Sequence, residues 1–220
     1  MFMTYINIRK MVIIGYDYRL PIEQVIELVD NQYLYTHILG GINSLSDEEK
    51  KSCIVTLMGC TKITDVSMLG GVGTIYLKGC TGITDVSALG NVKILYLNGC
   101  TGITDVSALG NVMGIDLTGC TGVTDVSALG NVYGLILSNC PQITDVSMLG
   151  NVHKLTLGGC TGITDVSALT NVYELDLCGC TGITDISMLT NVKKLYISNN
   201  QFPQTQIDTL HNIGVDIYFY

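Results

Sequence analysis

Apolar residues recur every twenty positions from Lys51 to Asn200, and that period dictates the reading of the chain. In the unit Asn91 to Gly110 the apolar places are 2, 5, 7, 13, 16 and 19: Val92, Leu95, Leu97, Ile103, Val106 and Leu109. Leu95 and Leu97, two apart, put both side chains on one face of a short strand. The other apolar residues lie on a coil that must return to the same side. Each unit is therefore one strand plus a return path. Six buried aliphatic side chains do not offset the conformational entropy of ordering a whole unit, so one unit cannot fold alone. Stacked units share a continuous core and join their strands in one parallel sheet, with eight or nine strands expected and covers needed at both ends. Eight registers of the unit are present, the last degenerating into the run from Asn191 to Asn200.

The spacing Val92-x-x-Leu95-x-Leu97-x-x-Cys100-x-x-Ile103 resembles the leucine-rich repeat, and it recurs through the array. The run Gly99-Cys100-Thr101-Gly102-Ile103-Thr104-Asp105 is similar to the cysteine-containing subclass found in F-box substrate receptors of ubiquitin ligases. Units of that subclass are longer and carry a convex helix for which this one has no room. Ile103-Thr104-Asp105-Val106-Ser107 followed by Leu109 is also similar to the short internalin-type repeat of bacterial adhesins, a relation that usually brings a secretion signal. Near-identical arrays resemble those carried by large DNA viruses and protists. The resemblance implies an α/β solenoid, a leucine-rich-repeat arc with a parallel β-sheet on its concave face and short turns or 3-10 segments on its convex face. It also implies that the concave face is where a partner binds.

Two rows of constant residues invite chemistry. Cys60, Cys80, Cys100, Cys120, Cys140, Cys160 and Cys180 give one thiol per coil. Side chains stacked in parallel do not converge as the four ligands of a zinc site must, so the reading is structural. In this repeat class the place holds Asn or Cys turned inward onto backbone groups at the strand end, and Asn200 stands there in the last unit. Cys178, at position 8, is expected to be an exposed thiol. The second row is Asp65, Asp85, Asp105, Asp125, Asp145, Asp165 and Asp185. A calcium stripe would need the Gly-rich nonapeptide that the unit lacks. Instead each carboxylate is placed to accept backbone N–H groups opening a one-turn helix or 3-10 turn. The Asn row at position 1 reads as turn residues leading into the strands.

Self-comparison of the repeats puts the variation at positions 3, 4, 6 and 8, on and beside the strand. One zone combines Tyr76, Ile94, Tyr96, Asp116, Tyr133 and Ile136 around Gly114 and Gly134, whose missing side chains leave a depression beside aromatic anchors. Exposed aromatics around a hollow suit a protein or peptide ligand. A second zone alternates Lys154, Glu174 and Lys194, with Asp176 and Lys193 nearby, a pattern of cross-strand charge pairing. Drift of duplicated repeats where the core imposes no constraint is the competing account of the first zone.

The ends depart from the repeat, giving a division into an N-terminal cap (1–50), leucine-rich repeats (51–200) and a C-terminal cap (201–220). Residues 1–50 carry four basic and seven acidic residues. Ile6 and Ile8, then Val12 and Ile14, suggest short strands. Pro21 followed by Ile22, Val25, Leu28 and Val29 reads as an amphipathic helix. Ser46-Asp47-Glu48-Glu49 is a capping-box signal for a second, short helix. Leu20-Pro21-Ile22-Glu23 faintly resembles the opening of an F-box. At the other end Val215, Ile217 and Phe219 alternate as a final edge strand.

Composition narrows the roles. The 220-residue chain has net charge −8, opposite to the electropositive footprint of a nucleic-acid binder. Mean hydropathy is +0.41, yet no apolar run approaches the ~20 residues a bilayer crossing needs. The start lacks a secretory apolar segment, which points to an intracellular, cytoplasmic setting where nine cysteines remain thiols. His37, His153 and His211 are scattered, and no phosphate loop, zinc motif or nucleophile elbow accompanies them. The expectation is a non-catalytic module with no cofactor and no metal, binding a protein or peptide partner and neither nucleic acid nor membrane. A ligase substrate receptor and a structural particle component are the alternatives.

Overall fold

The computed structural model describes Ile42 and residues 45–220. Among the described residues, nine strands form one parallel sheet in chain order: β1 (Ile54–Thr56), β2 (Thr74–Tyr76), β3 (Ile94–Tyr96), β4 (Gly114–Asp116), β5 (Gly134–Ile136), β6 (Lys154–Thr156), β7 (Glu174–Asp176), β8 (Lys194–Ile197) and β9 (Asp216–Phe219). Through β8 the register follows the repeat, as in Leu95 beside Ile115 and Tyr96 beside Asp116. Position 5 points into the core and positions 4 and 6 point out, so Leu95 is buried while Ile94 and Tyr96 are half-buried. Position 7 turns inward again, and from the second repeat to the seventh all six apolar places lie in one continuous buried cluster, which the first repeat joins with five because Ser52 stands at its position 2.

Each full coil turns away from its strand at position 9, three residues past the strand end, where the backbone takes a positive φ: +71° at Gly99 and +57° at Asn139. Glycine, or Asn, tolerates that conformation, which accounts for the Gly-Cys or Asn-Cys dipeptide in each of the seven full coils. The return path carries 3-10 segments such as Ser87–Leu89, Ser107–Leu109 and Ser127–Leu129. In all seven coils the Asp carboxylate accepts the backbone N–H of the Ser two residues on, at 2.8 Å. Val106 occupies the formal cap of its segment, so Asp105 acts from one residue farther out than an ordinary N-cap.

The cysteines do what a structural row should, and they do it between coils. The Cys100 thiol donates to the Leu77 carbonyl of the preceding coil at 3.0 Å, and the same bond recurs from Cys80 to Cys180 at 2.7 to 3.2 Å. That carbonyl also accepts its own coil's backbone, as Cys80 N–H to Leu77 at 3.0 Å. In the last coil the expectation for Asn200 fails. Asn200 is exposed with φ +58° and so performs the glycine's task. β8 is one residue longer than the strands before it, shifting the turn by one place. Gln201 inherits the thiol's role, donating to the Leu177 carbonyl at 2.9 Å.

At the N-terminal side α1 (Asp47–Lys51) opens on the capping box expected of it, with Ser46 Oγ accepting the Glu49 N–H and Glu49 Oε2 accepting the Ser46 N–H. The strands expected around Ile6 to Ile14, the helix from Pro21 and the F-box-like opening lie outside the described residues. Past the last coil, α2 (Gln204–Asn212) buries Ile207 and Leu210 and carries the chain back to β9. The sequence reading had only the strand here, because two apolar positions in nine residues give a weak helical signal. Val215 is buried and Ile217 half-buried, but Phe219 is 49% exposed on the open edge.

Candidate functional site

The register sets position 6 of successive strands side by side, making a row from Thr56 through Tyr76, Tyr96, Asp116, Ile136, Thr156, Asp176 and Tyr196 to Tyr218. Two tyrosine stacks bracket four shorter side chains. The rings of Tyr76 and Tyr96 lie 4.4 Å apart and 3° from parallel, and those of Tyr196 and Tyr218 lie 4.9 Å apart at 19°. Between the stacks the sheet surface drops into a groove of about 580 Å³. Its floor is open because β4 and β5 begin with Gly114 and Gly134. A Cβ placed on Gly134 would meet nothing within 4 Å, and one on Gly114 would make only ordinary contact, at 3.9 Å, with Ile94. Neither glycine has a positive φ. By contrast, a Cβ on Gly110 would stand 2.5 Å from the Ala128 carbonyl, a close approach that the stacking of coils imposes.

Of the six predicted contact residues, Ile94, Tyr96, Asp116 and Ile136 line this groove. Tyr76 stands behind Tyr96 as its stacking partner. Tyr133 lies apart: it is 52% exposed on the border of the sheet and stacks on His153, which stacks in turn on Tyr173, each pair at 4.7 Å. That three-ring border ladder was missed. Its signal was present at position 3, where Tyr133, His153 and Tyr173 occupy consecutive repeats. The two zones read from the sequence also merge, since Lys154, Glu174 and Asp176 line the same groove as Tyr96.

The polar groups of the groove are held in place. Asp116 Oδ1 accepts the Thr118 N–H at 2.9 Å and the Thr118 hydroxyl at 2.6 Å, while Oδ2 accepts the Asn98 amide at 2.5 Å. Asp176 Oδ1 accepts the Cys178 N–H at 2.9 Å. Lys154 and Glu174 form an ion pair at 3.0 Å, and Tyr196 donates its hydroxyl to Glu174 at 3.2 Å. The Lys154 hydrogen bond holds the Glu174 carboxyl below its usual range, and Glu174 raises Lys154 in turn. Burial, then the neighbouring Tyr76, raises the Tyr96 phenol. Cys178 is half-buried in this groove, where burial and then Asp176 push its thiol up to about 12, so it is a poor nucleophile. Among the described residues no group of three or more His, Cys, Asp or Glu side chains is placed to hold a metal ion. No helix among them is long and apolar enough to cross a membrane.

These features, a twenty-residue coil, an unbroken parallel sheet and 3-10 returns, define the leucine-rich-repeat fold, and the chain has that fold. No family model matches the sequence, and no curated protein does either. Among solved structures it is similar to internalin C2 of Listeria monocytogenes, with TM-score 0.57 and 24% identity, covering 80% of this chain and 84% of that one. A leucine-rich-repeat protein of Leptospira interrogans superposes with TM-score 0.41 at 16% identity, covering 79% of this chain and 62% of that one. The functional domain of InlJ from Listeria monocytogenes, which includes a cysteine ladder, gives TM-score 0.29 at 16% identity over 76% of this chain and 56% of that one.

Proposed function

We propose that the protein is a non-catalytic binding module that holds a protein or peptide partner in the concave groove between the two tyrosine stacks. The observation that carries this reading is the pair Gly114 and Gly134. Glycine weakens a strand by about 0.5–1 kcal/mol relative to Ala, and a glycine within a strand often marks a place where another chain approaches closely. Nothing in the surrounding fold requires glycine at either place, whereas an open floor beside Tyr96 and Ile136 is what an inserted partner side chain needs. Residues 1–50 and 201–220 serve on this reading as covers for the ends of the array, and an intracellular, reducing setting keeps the nine cysteines as the thiols the fold uses.

The test is affinity capture from the native host with the intact chain and with Tyr96→Ala/Asp116→Lys/Ile136→Lys, both checked for folding by circular dichroism. A partner held by the first and lost by the second supports the module. Equal captures by both sink it. Ligase components among proteins lost on deletion of residues 1–41 would instead favour the substrate-receptor account.

A further inference from the structure

The groove is not merely open; its two ends carry the same chemistry in mirror order. At one end Tyr96 of β3 adjoins Asp116 of β4, and at the other Asp176 of β7 adjoins Tyr196 of β8. Each tyrosine is stacked on a partner outside the groove, Tyr76 or Tyr218, with Tyr220 tilted against Tyr196 at 5.9 Å, and both Tyr96 and Tyr196 line the groove. Each aspartate has its carboxylate fixed by local donors: Thr118 and Asn98 for Asp116, the Cys178 N–H for Asp176. Among the described residues neither carboxylate is in an ion pair. Lys154 does not compensate them, because it is paired with Glu174. The groove therefore keeps two negative charges, each beside an aromatic face. A carboxylate next to a ring face suits a guanidinium, which can stack on the ring and hydrogen-bond to the acid at once.

Spacing then fixes the form of the partner. Asp116 and Asp176 stand three strand intervals apart in the sheet order, about 14 Å at ~4.8 Å per interval. An extended chain rises ~3.4 Å per residue and returns its side chains to the same face every second residue, so residues four apart span about 14 Å and point the same way. The residue between them, two places from each, faces the same side and falls over Ile136 and Thr156. Gly114 and Gly134 let the backbone of such a segment sit low on β4 and β5.

We propose that the concave groove takes an extended segment of a partner protein laid across β4 to β7, with two arginines four residues apart bound at the Tyr96–Asp116 and Asp176–Tyr196 ends and an apolar residue midway. This rests on the concave-binding reading above and adds the chemistry and direction of the occupant. The net charge of −8 on the chain favours the encounter with a basic segment.

The test is fluorescence anisotropy with the full chain and a labelled peptide of sequence Gly-Arg-Ala-Leu-Ala-Arg-Gly at low salt. The expected result is binding about tenfold tighter than that of Gly-Arg-Arg-Ala-Ala-Leu-Gly, which has the same composition, and tighter than the lysine version of the spaced peptide. Asp116→Asn and Asp176→Asn should each weaken it about tenfold. Gly134→Val should abolish it in a protein whose circular dichroism is unchanged. Asp105→Asn, which removes the same charge from the convex side, should leave it within about twofold. Equal binding of the two arginine peptides, equal loss in Asp105→Asn and Asp176→Asn, or no binding of the spaced peptide would each overturn the inference. If those failures occur while groove variants still lose a captured partner, the binding module stands and only this description of its ligand falls. If groove variants lose nothing, both fall.

Discussion

The convex and concave sides of this arc are built from the same coils yet obey opposite rules. On the convex side and in the core, the two constant rows bond to backbone: Asp105 to the Ser107 N–H, the Cys100 thiol to the Leu77 carbonyl. Backbone is the same in every coil, so the residues recur unchanged. On the concave side Asp116 and Asp176 also accept backbone N–H groups, but bonds between side chains of neighbouring coils are added: Asn98 to Asp116, Lys154 to Glu174, Tyr196 to Glu174. Those bonds need two matching residues rather than one constant one, so the sequence there is free to differ along the array. Repetition marks what the fold requires, and its interruption marks what the fold leaves open.

The comparison can be broken most directly on one strand. Leu135→Ala should cost about 2–5 kcal/mol, while Ile136→Ala, its exposed neighbour, should cost under about 0.5 kcal/mol in urea titrations. Equal losses would mean that the concave row also holds the fold. Next in size, Cys120→Ala removes the donor to the Leu97 carbonyl and should cost about 1–2 kcal/mol, with Cys178→Ala within about 0.5 kcal/mol. Rapid alkylation of Cys100, Cys120, Cys140 and Cys160 in the native protein would contradict their inward placement.

Both constant rows predict how stability follows pH. Burial pushes Cys100 and Cys160 up to about 11 and Cys120 and Cys180 up to about 12. An unfolded chain releases those protons near pH ~8.5, so stability is full below that value and falls as pH rises toward the folded-state values. The aspartates act in the opposite sense: the Ser N–H bonds hold their carboxyls below the usual range. Their contribution is present above the unfolded pKa of ~3.9 and is lost as pH falls through the carboxylate range. A urea midpoint that stays flat from pH ~5 down to ~2, or from ~8 up to ~11, would contradict one arm or the other. The smallest effect on folding belongs to Gly134→Val, which should leave the urea midpoint unchanged or slightly raised, since the new side chain enters open space and valine suits a strand. A large loss would mean that the fold needs this glycine after all.

The period made the core readable, because six apolar places with fixed spacing admit one way of stacking, and the inward cysteines and turn-opening aspartates followed from it. What escaped the reading lies where the period slips or where neighbours in space are distant in register. Asn200 was matched to the cysteines by counting in twenties, but the longer β8 moves the turn one residue and gives Gln201 that task. The second tyrosine stack was hidden because Tyr218 reaches β9 through α2 and is out of phase with the repeat. Without it the charged residues of β6 and β7 looked like a separate zone rather than the middle of one groove.

The thiol ladder has a consequence for how such a chain can change length. From Cys80 to Cys180 each coil brings one donor, its cysteine, to the position-7 carbonyl of the coil before it, and each bond joins equivalent atoms of adjacent coils. Excision or duplication of twenty residues within the array leaves the new neighbours with the same donor facing the same acceptor. The scaffold is therefore indifferent to how many coils it contains. The interval between the tyrosine stacks is not, because it lengthens or shortens by ~4.8 Å with each coil gained or lost between them. A gene that gains or loses one repeat in that stretch would keep its fold and acquire a binding face of a different span.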